Sequence, residues 1–173
     1  MFARAMLLLA SSLLACGGAP QRPRPSPLQD AHAFERLSAI AGSWESTTDG
    51  ATTTASYELV SRGSALVETW VTAGGTRTLT VYHPDHETVL LTHYCAQGNQ
   101  ARLRLTAATG RSFQFEREDA TNVLPDQSIL TLLALALEGD TLLRRETYVD
   151  AAGTPEETVM RFVRVLPPSP TPR

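Results

Sequence analysis

Lysine is missing from this chain, and all 15 of its basic residues are arginine. Set against 18 acidic residues they leave a net charge of -3. That balance does not suit the phosphates of nucleic acid, so no nucleic-acid partner is expected. Cysteine is scarce, with only Cys16 and Cys95, and aromatic residues make up 6% of the chain. The N-terminal apolar run, Met6 to Leu9 and Leu13 to Ala15, is too short to cross about 30 Å of hydrocarbon as a helix. It ends at a small residue and a cysteine instead of a charged flank, which excludes a retained anchor helix and leaves a cleaved export signal as the expectation.

What is present begins with that signal. Arg4, the apolar run and the ending Leu13-Leu14-Ala15-Cys16 resemble the bacterial lipobox, in which the cysteine is acylated and becomes the first residue of the mature chain. The resemblance implies a signal peptide over residues 1–16, lipidation at Cys16, and a membrane partner reached through the lipid anchor. Gly17 in place of an acidic residue points, by the same resemblance, to the outer membrane facing the periplasm. With Cys16 acylated, Cys95 has no partner in the chain, and no intramolecular disulfide is possible.

Residues 17–30, GGAPQRPRPSPLQD, hold four prolines and no apolar period, as an extended tether does. The tail at 167–173 is expected to fray. Residues 31–166 form one domain, long enough to bury a core. Asp30 is placed to cap a short helix with Phe34, Leu37 and Ala41 on one face, stopping at Gly42.

From Trp44 onward, turn signals recur at short intervals: Asp49-Gly50, Arg62-Gly63, Gly74-Gly75, Pro84-Asp85, Gly98-Asn99, Thr109-Gly110, Gly139-Asp140 and Ala152-Gly153. Such spacing leaves room for strands and none for helices. Leu79 and Val81 alternate with Thr78 and Thr80, and Leu103 and Leu105 with Arg102 and Arg104, as half-buried strands do. The expected fold is all-β: a single antiparallel up-and-down barrel of about nine or ten strands with a short N-terminal helix. Residues 129–137, ILTLLALAL, are apolar on both faces and as rich in helix formers as a helix, which stays the alternative. The hairpin signal Glu138-Gly139-Asp140 before TLLRRETYV favours a strand, whose outer face then needs a cover, whether the helix, a partner subunit or the membrane.

A helix followed by Gly42-Ser43-Trp44 at the first strand resembles the lipocalin opening Gly-x-Trp. The resemblance implies that Trp44 closes the barrel floor beneath an arginine of a late strand, here Arg161 or Arg164. The stretch LTHYCAQGNQARLRL, residues 91–105, followed by DATN at 119–122, is similar to an uncharacterised group of bacterial lipocalin-like proteins. This chain differs from that group in having Ala101 for a proline and Ser128-Ile129 for a His-Met pair.

Strand alternation puts Val89, Leu91, His93 and Cys95 on one face. If that face is the barrel interior, His93, Cys95, Asn99, Gln100 and Arg102 can orient a small hydrophobic or amphipathic ligand, with Tyr57, Trp70, Tyr82 and Tyr148 lining the wall. Other readings stay open. His93 could hold haem, although no cofactor is required. Cys95 with His93 as base would be nucleophilic chemistry, but no acidic residue in the segment completes the set and no catalytic residue is assigned. The barrel could also be filled, making the chain a structural or interaction lipoprotein. His83 and His86 flank Pro84-Asp85 at a hairpin tip and are not taken as a metal site. Glu68, Arg144 and Glu146 alternate with apolar residues, which fits either a solvated face or a polar lumen. Asp119 and Asn122 suit a capped loop or a gate at the barrel mouth.

Overall fold

The computed structural model describes residues 28–166. The signal peptide at 1–16, Cys16, most of the tether and the tail at 167–173 lie outside the described residues. A short helix, α1 (Ala33–Leu37), runs into a single 3-10 turn, Ser38–Ile40. Ten strands follow: β1 (Gly42–Thr48), β2 (Ala51–Val60), β3 (Ala65–Val71), β4 (Arg77–Asp85), β5 (Thr88–Tyr94), β6 (Gln100–Thr109), β7 (Ser112–Thr121), β8 (Ile129–Glu138), β9 (Thr141–Val149) and β10 (Pro155–Val165). Each strand pairs antiparallel with the next, and β10 pairs back onto β1, closing the barrel. The all-β, up-and-down architecture expected from the turn spacing is therefore the one observed.

The turns work because they carry residues that tolerate positive φ. At the β1–β2 hairpin, Asp49 and Gly50 sit at φ 51 and 79, the twist that a two-residue hairpin demands. One turn lies later than its sequence signal. Pro84 and Asp85 belong to β4, with Pro84 opposite Val89, and the reversal falls on His86 and Glu87. His86 adopts φ 55 there.

The helix also departs from the reading in detail. Its N-cap is His32 and no side chain caps it. Asp30 sits further out, where its carboxylate accepts the His32 N–H and binds Arg36. That ion pair holds the Asp30 carboxyl below its ordinary pKa, chiefly through the hydrogen bond from Arg36. The buried face is Ala33, Leu37 and Ile40, while Phe34 and Ala41 are half-buried. The 3-10 turn tightens the chain after Leu37, which swings Ile40 inward in place of Ala41.

A five-residue helix has almost no stability of its own. Burying Leu37 and Ile40 completely contributes about 1.5–3 kcal/mol for each side chain, which is what holds α1 in place. It lies across the barrel end that carries the β4–β5 and β6–β7 turns. There Asp30 N–H reaches Glu87 O, Leu28 N–H reaches Leu105 O, and Arg36 Nε donates to Gly110 O at 3.0 Å.

Trp44 fixes the same end. It is fully buried, and its indole N–H donates to Ile40 O at 2.8 Å. Arg164 from β10 lies 4.2 Å over the indole and donates to Ala41 O at 2.8 Å. Of the two arginines expected for this role, Arg164 takes it, and Arg161 is exposed with its guanidinium on Thr141 Oγ1. Gly42 has a reason to be glycine: its φ is +130, and a Cβ there would lie 2.7 Å from Arg164 Nη1.

β8 is a strand throughout. Leu130, Leu133, Leu135 and Leu137 point inward and are buried, while Leu132, Ala134 and Ala136 face out. The helix is not the cover for this outer face, because it lies over the barrel end.

Candidate functional site

The register gathers polar side chains into the middle of the barrel. Tyr57, Glu68, Thr80, His93 and Ala101 stand opposite one another across β2 to β6 and share the inner face. From the far wall, β9 sends in Leu142, Arg144, Glu146 and Tyr148, with Met160 of β10 opposite Arg144. Glu68 and Arg144 meet here, with 1% and 2% of their side chains exposed and 2.7 Å between Glu68 Oε2 and Arg144 Nη1.

This ion pair anchors a network. Arg144 Nη2 and Nε both donate to Glu146 Oε1, at 2.6 and 3.1 Å, and Nη1 also approaches the Tyr57 hydroxyl at 3.3 Å. Tyr82 donates its hydroxyl to Glu68 Oε2 at 2.6 Å. The guanidinium lies 4.7 Å from the Trp70 ring centroid, and Trp70 meets Phe162 edge-on at 5.1 Å. Burial works against the charge on Arg144, but Glu146 and Glu68 more than offset it and raise its pKa well above the ordinary arginine value. Burial, reinforced by the Glu68 carboxylate, pushes the phenols of Tyr57 and Tyr82 up, so both stay protonated donors.

A second layer sits toward the end not covered by the helix. His93 Nδ1 is 3.0 Å from Thr80 Oγ1 and Nε2 is 3.1 Å from the Tyr148 hydroxyl. Burial, followed by the nearby positive charge of Arg144, lowers the imidazole pKa and keeps His93 neutral near pH 7. Burial and then Glu146 raise the Tyr148 phenol above its ordinary range. A neutral imidazole has one donor and one acceptor nitrogen, and the two hydroxyls use both. Neither nitrogen is left for a haem iron or for a thiol, so the residues around His93 do not fit an axial-ligand site in this arrangement.

The other sequence candidates are scattered. Cys95 follows the end of β5 in a turn, half-buried, with its backbone N–H on Asn99 O. No hydrogen bond among the described residues joins it to His93. Asn99 is fully buried and ties that turn to the β7–β8 loop, its amide donating to Gln127 Oε1 and Ser128 O at 3.2 Å. Gln127 returns the tie through Gln97 O. Gln100 hydrogen-bonds Gly98 O and Thr121 Oγ1. Arg102 is exposed and paired with Asp119. Of the ligand-binding candidates, the structure thus brings together Tyr57, Trp70, Tyr82 and His93 and leaves Gln100 and Arg102 outside that group.

The sequence left Glu68, Arg144 and Glu146 undecided, and the structure places all three in the lumen. Thr80 reads in the sequence only as the polar alternate of Leu79 and Val81, whereas it is fully buried and Leu79 is the exposed one. Its signal is the cross-strand register opposite His93, which one strand's pattern does not contain.

The barrel middle is occupied by these side chains, and beneath them Trp44, Leu66, Tyr82, Leu105, Phe115 and Phe162 are fully buried. A concavity of about 450 Å³ lies elsewhere, on the outer wall, between Ala107, Gln114, Ala134, Ala136, Leu143 and Val159. Comparison with protein-family models and with curated proteins finds no match for this chain.

Proposed function

We propose that this chain is a lipid-anchored protein of the bacterial envelope, held through Cys16, whose barrel is a filled and rigid module that works through its outer surface. The anchor rests on the N-terminal sequence, Arg4 to Cys16. Replacing Cys16 with serine should move the protein from the membrane to the soluble fraction. Unchanged membrane retention of that variant would refute the anchor.

One observation carries the filled-barrel reading. The position where a carrier would hold its ligand contains the Glu68–Arg144–Glu146 network with Tyr57 and Tyr82 packed on it. A ligand cavity of the usual kind needs about 300 Å³ or more, and a greasy pocket of that size does not coexist with a buried ion pair in the same cross-section. Organic extraction of the purified full chain, followed by native mass spectrometry, should recover no lipid-sized molecule. A small apolar molecule retained at one per chain would overturn the reading.

A narrower binding reading is favoured by the layer near the uncovered end. Trp70 and Met160 are half-buried there, and Glu146 Oε2 receives no hydrogen bond among the described residues. A small amphipathic molecule could lay its apolar part on Trp70 and Met160 and donate a hydrogen bond to Glu146. Trp70 is a built-in reporter, because Trp44 is fully buried. Titration with alkylamines, alkanols and fatty acids of equal chain length, read by tryptophan fluorescence, should give saturable quenching with the donor heads. A fatty acid binding most tightly, or no saturable change with any of the three, would discard this mode.

A further inference from the structure

The middle of the lumen holds unequal numbers of opposite charges. Glu68, Arg144 and Glu146 set two carboxylates against one guanidinium, with 1%, 2% and 16% of their side chains exposed. The charges bearing on His93 are those same three, Arg144, Glu68 and Glu146. His93 itself is neutral near pH 7, and Tyr57, Tyr82 and Tyr148 stay protonated. Two further arginines belong to inner rows but do not redress the balance. Arg164 is engaged at the floor by Trp44 and the carbonyls of Ala39 and Ala41. Arg117, opposite Leu103, lies where β7 has parted from β8 beyond the pair Glu116 and Leu132, and it is partly exposed to water. A buried charge without a counterion is costly, so this interior favours one more positive charge.

The hydrogen bonds show where that charge would sit. Arg144 directs Nε and Nη2 to Glu146 Oε1, and no hydrogen bond among the described residues reaches Glu146 Oε2. Glu68 Oε1 is buried without a partner. The neighbouring hydroxyls are already engaged: Tyr57 and Tyr82 with Glu68, and Tyr148 with His93 Nε2. What the layer lacks is a donor that carries positive charge. Metal ions such as calcium want about six to eight oxygen ligands, and among the described residues no three carboxylate, imidazole or thiol groups come together to hold one. An ammonium needs only acceptors for its N–H bonds. Glu146 stands nearer the uncovered end of β9 than Arg144 does. Apolar surface is at hand in Trp70, which packs on Arg144, and in Met160, opposite Arg144 in the register.

We infer that this layer takes a primary alkylammonium, with its nitrogen on Glu146 Oε2 and its alkyl chain on Trp70 and Met160. The inference rests on the narrower binding reading above and adds that the head group is charged, so that a neutral donor of the same length is a poor substitute.

Calorimetric titration of the full chain at pH 7 with butylammonium and with butanol tests it. Hydrogen bonds to charged partners are roughly twice as strong as neutral ones, so butylammonium should bind at least about tenfold more tightly than butanol. Glu146→Gln keeps the shape and removes the charge, and it should abolish that preference with an unchanged circular dichroism spectrum. Should the variant fail to fold, the preference of the parent chain decides by itself. Equal affinity for the two ligands would overturn the inference and leave the narrower reading standing. A preference for butylammonium that survives in folded Glu146→Gln would overturn it too. No saturable binding of either ligand would remove the narrower reading and this inference together.

Discussion

Replacing Arg144 with methionine is the most informative single perturbation of the barrel interior. Methionine keeps most of the side-chain volume, so the loss is electrostatic and not a cavity. Removing the guanidinium deletes its contact with Glu68 at 2.7 Å, its two bonds to Glu146, its approach to the Tyr57 hydroxyl and its position over Trp70. Glu68 would then retain only the Tyr82 hydroxyl, and its Oε1 already lacks a hydrogen-bond partner. Breaking a buried pair by removing one member typically costs about 3–5 kcal/mol, because the remaining charge has no compensation. A domain has only about 5–15 kcal/mol of net stability, so Arg144→Met should lower the urea midpoint sharply or prevent folding. One control keeps the reasoning open to refutation. The double variant Glu68→Leu with Arg144→Met removes that carboxylate and should recover most of the loss. If Arg144→Met costs less than about 1 kcal/mol, where even an ordinary hydrogen bond contributes about that much, the network is not the interior support described above.

Gly42→Ala should cost about 1–3 kcal/mol, since it forces a side chain into a φ of +130 and into Arg164 Nη1, and backbone strain of that kind has about this magnitude; urea denaturation measures it, and a near-neutral result would refute the account of the floor. His93 has a pKa lowered by burial, so the unfolded chain binds more protons than the folded one as the pH drops through about 6.5. Stability from this residue is therefore present at and above neutral pH and is lost as the pH falls below that value, and His93→Gln should flatten that part of the curve; an unchanged slope would exclude His93 as its source. Tyr148→Phe removes the hydroxyl at His93 Nε2, which should cost about 1 kcal/mol; urea denaturation measures it, and a cost near zero would show that the hydroxyl does not engage the ring.

The strands were legible because turn residues and alternation are local properties. Asp49-Gly50, Gly139-Asp140 and the Leu103/Leu105 pair say where chains reverse and which residues share the buried face. In β4 the alternation misleads, because Leu79 is 36% exposed while Thr80 and Tyr82 are fully buried. The floor was legible for a different reason: Gly42-Ser43-Trp44 is contiguous, so only the choice between Arg161 and Arg164 awaited the structure. The interior network was half-legible. Glu68 and Arg144 lie on β3 and β9 and meet across the barrel, and no local pattern states whether a charged residue at an alternating position faces water or the lumen. The segment around His93 suggested a site because His93, Cys95, Asn99 and Gln100 are close in sequence. Strand alternation ends with β5 at Tyr94, and Cys95 and Asn99 then follow the geometry of a turn, so proximity in sequence did not become proximity in the lumen.

A buried ion pair is weak evidence for stability, since well-packed apolar residues of similar volume commonly do as well or better. Its presence here has a structural use that leucine could not supply. The inner faces of β6, β8 and β9 are rich in leucine, at 103, 105, 130, 133, 135, 137 and 142, and a strand slipped by two residues would still present an apolar face to the core. Glu68 and Arg144 are satisfied only when β3 and β9 face each other in one register, and Tyr57, Tyr82 and Glu146 add partners that must arrive at the same height. Apolar replacement of both Glu68 and Arg144 should then leave stability close to the parent while loosening the choice among registers. Amide NMR spectra of the Glu68→Leu, Arg144→Met double variant should broaden or double for residues of β8 and β9 even though urea denaturation looks nearly normal. A single sharp set of resonances at parent-like stability would mean that leucine packing and the turns already determine the register without help from the charged pair.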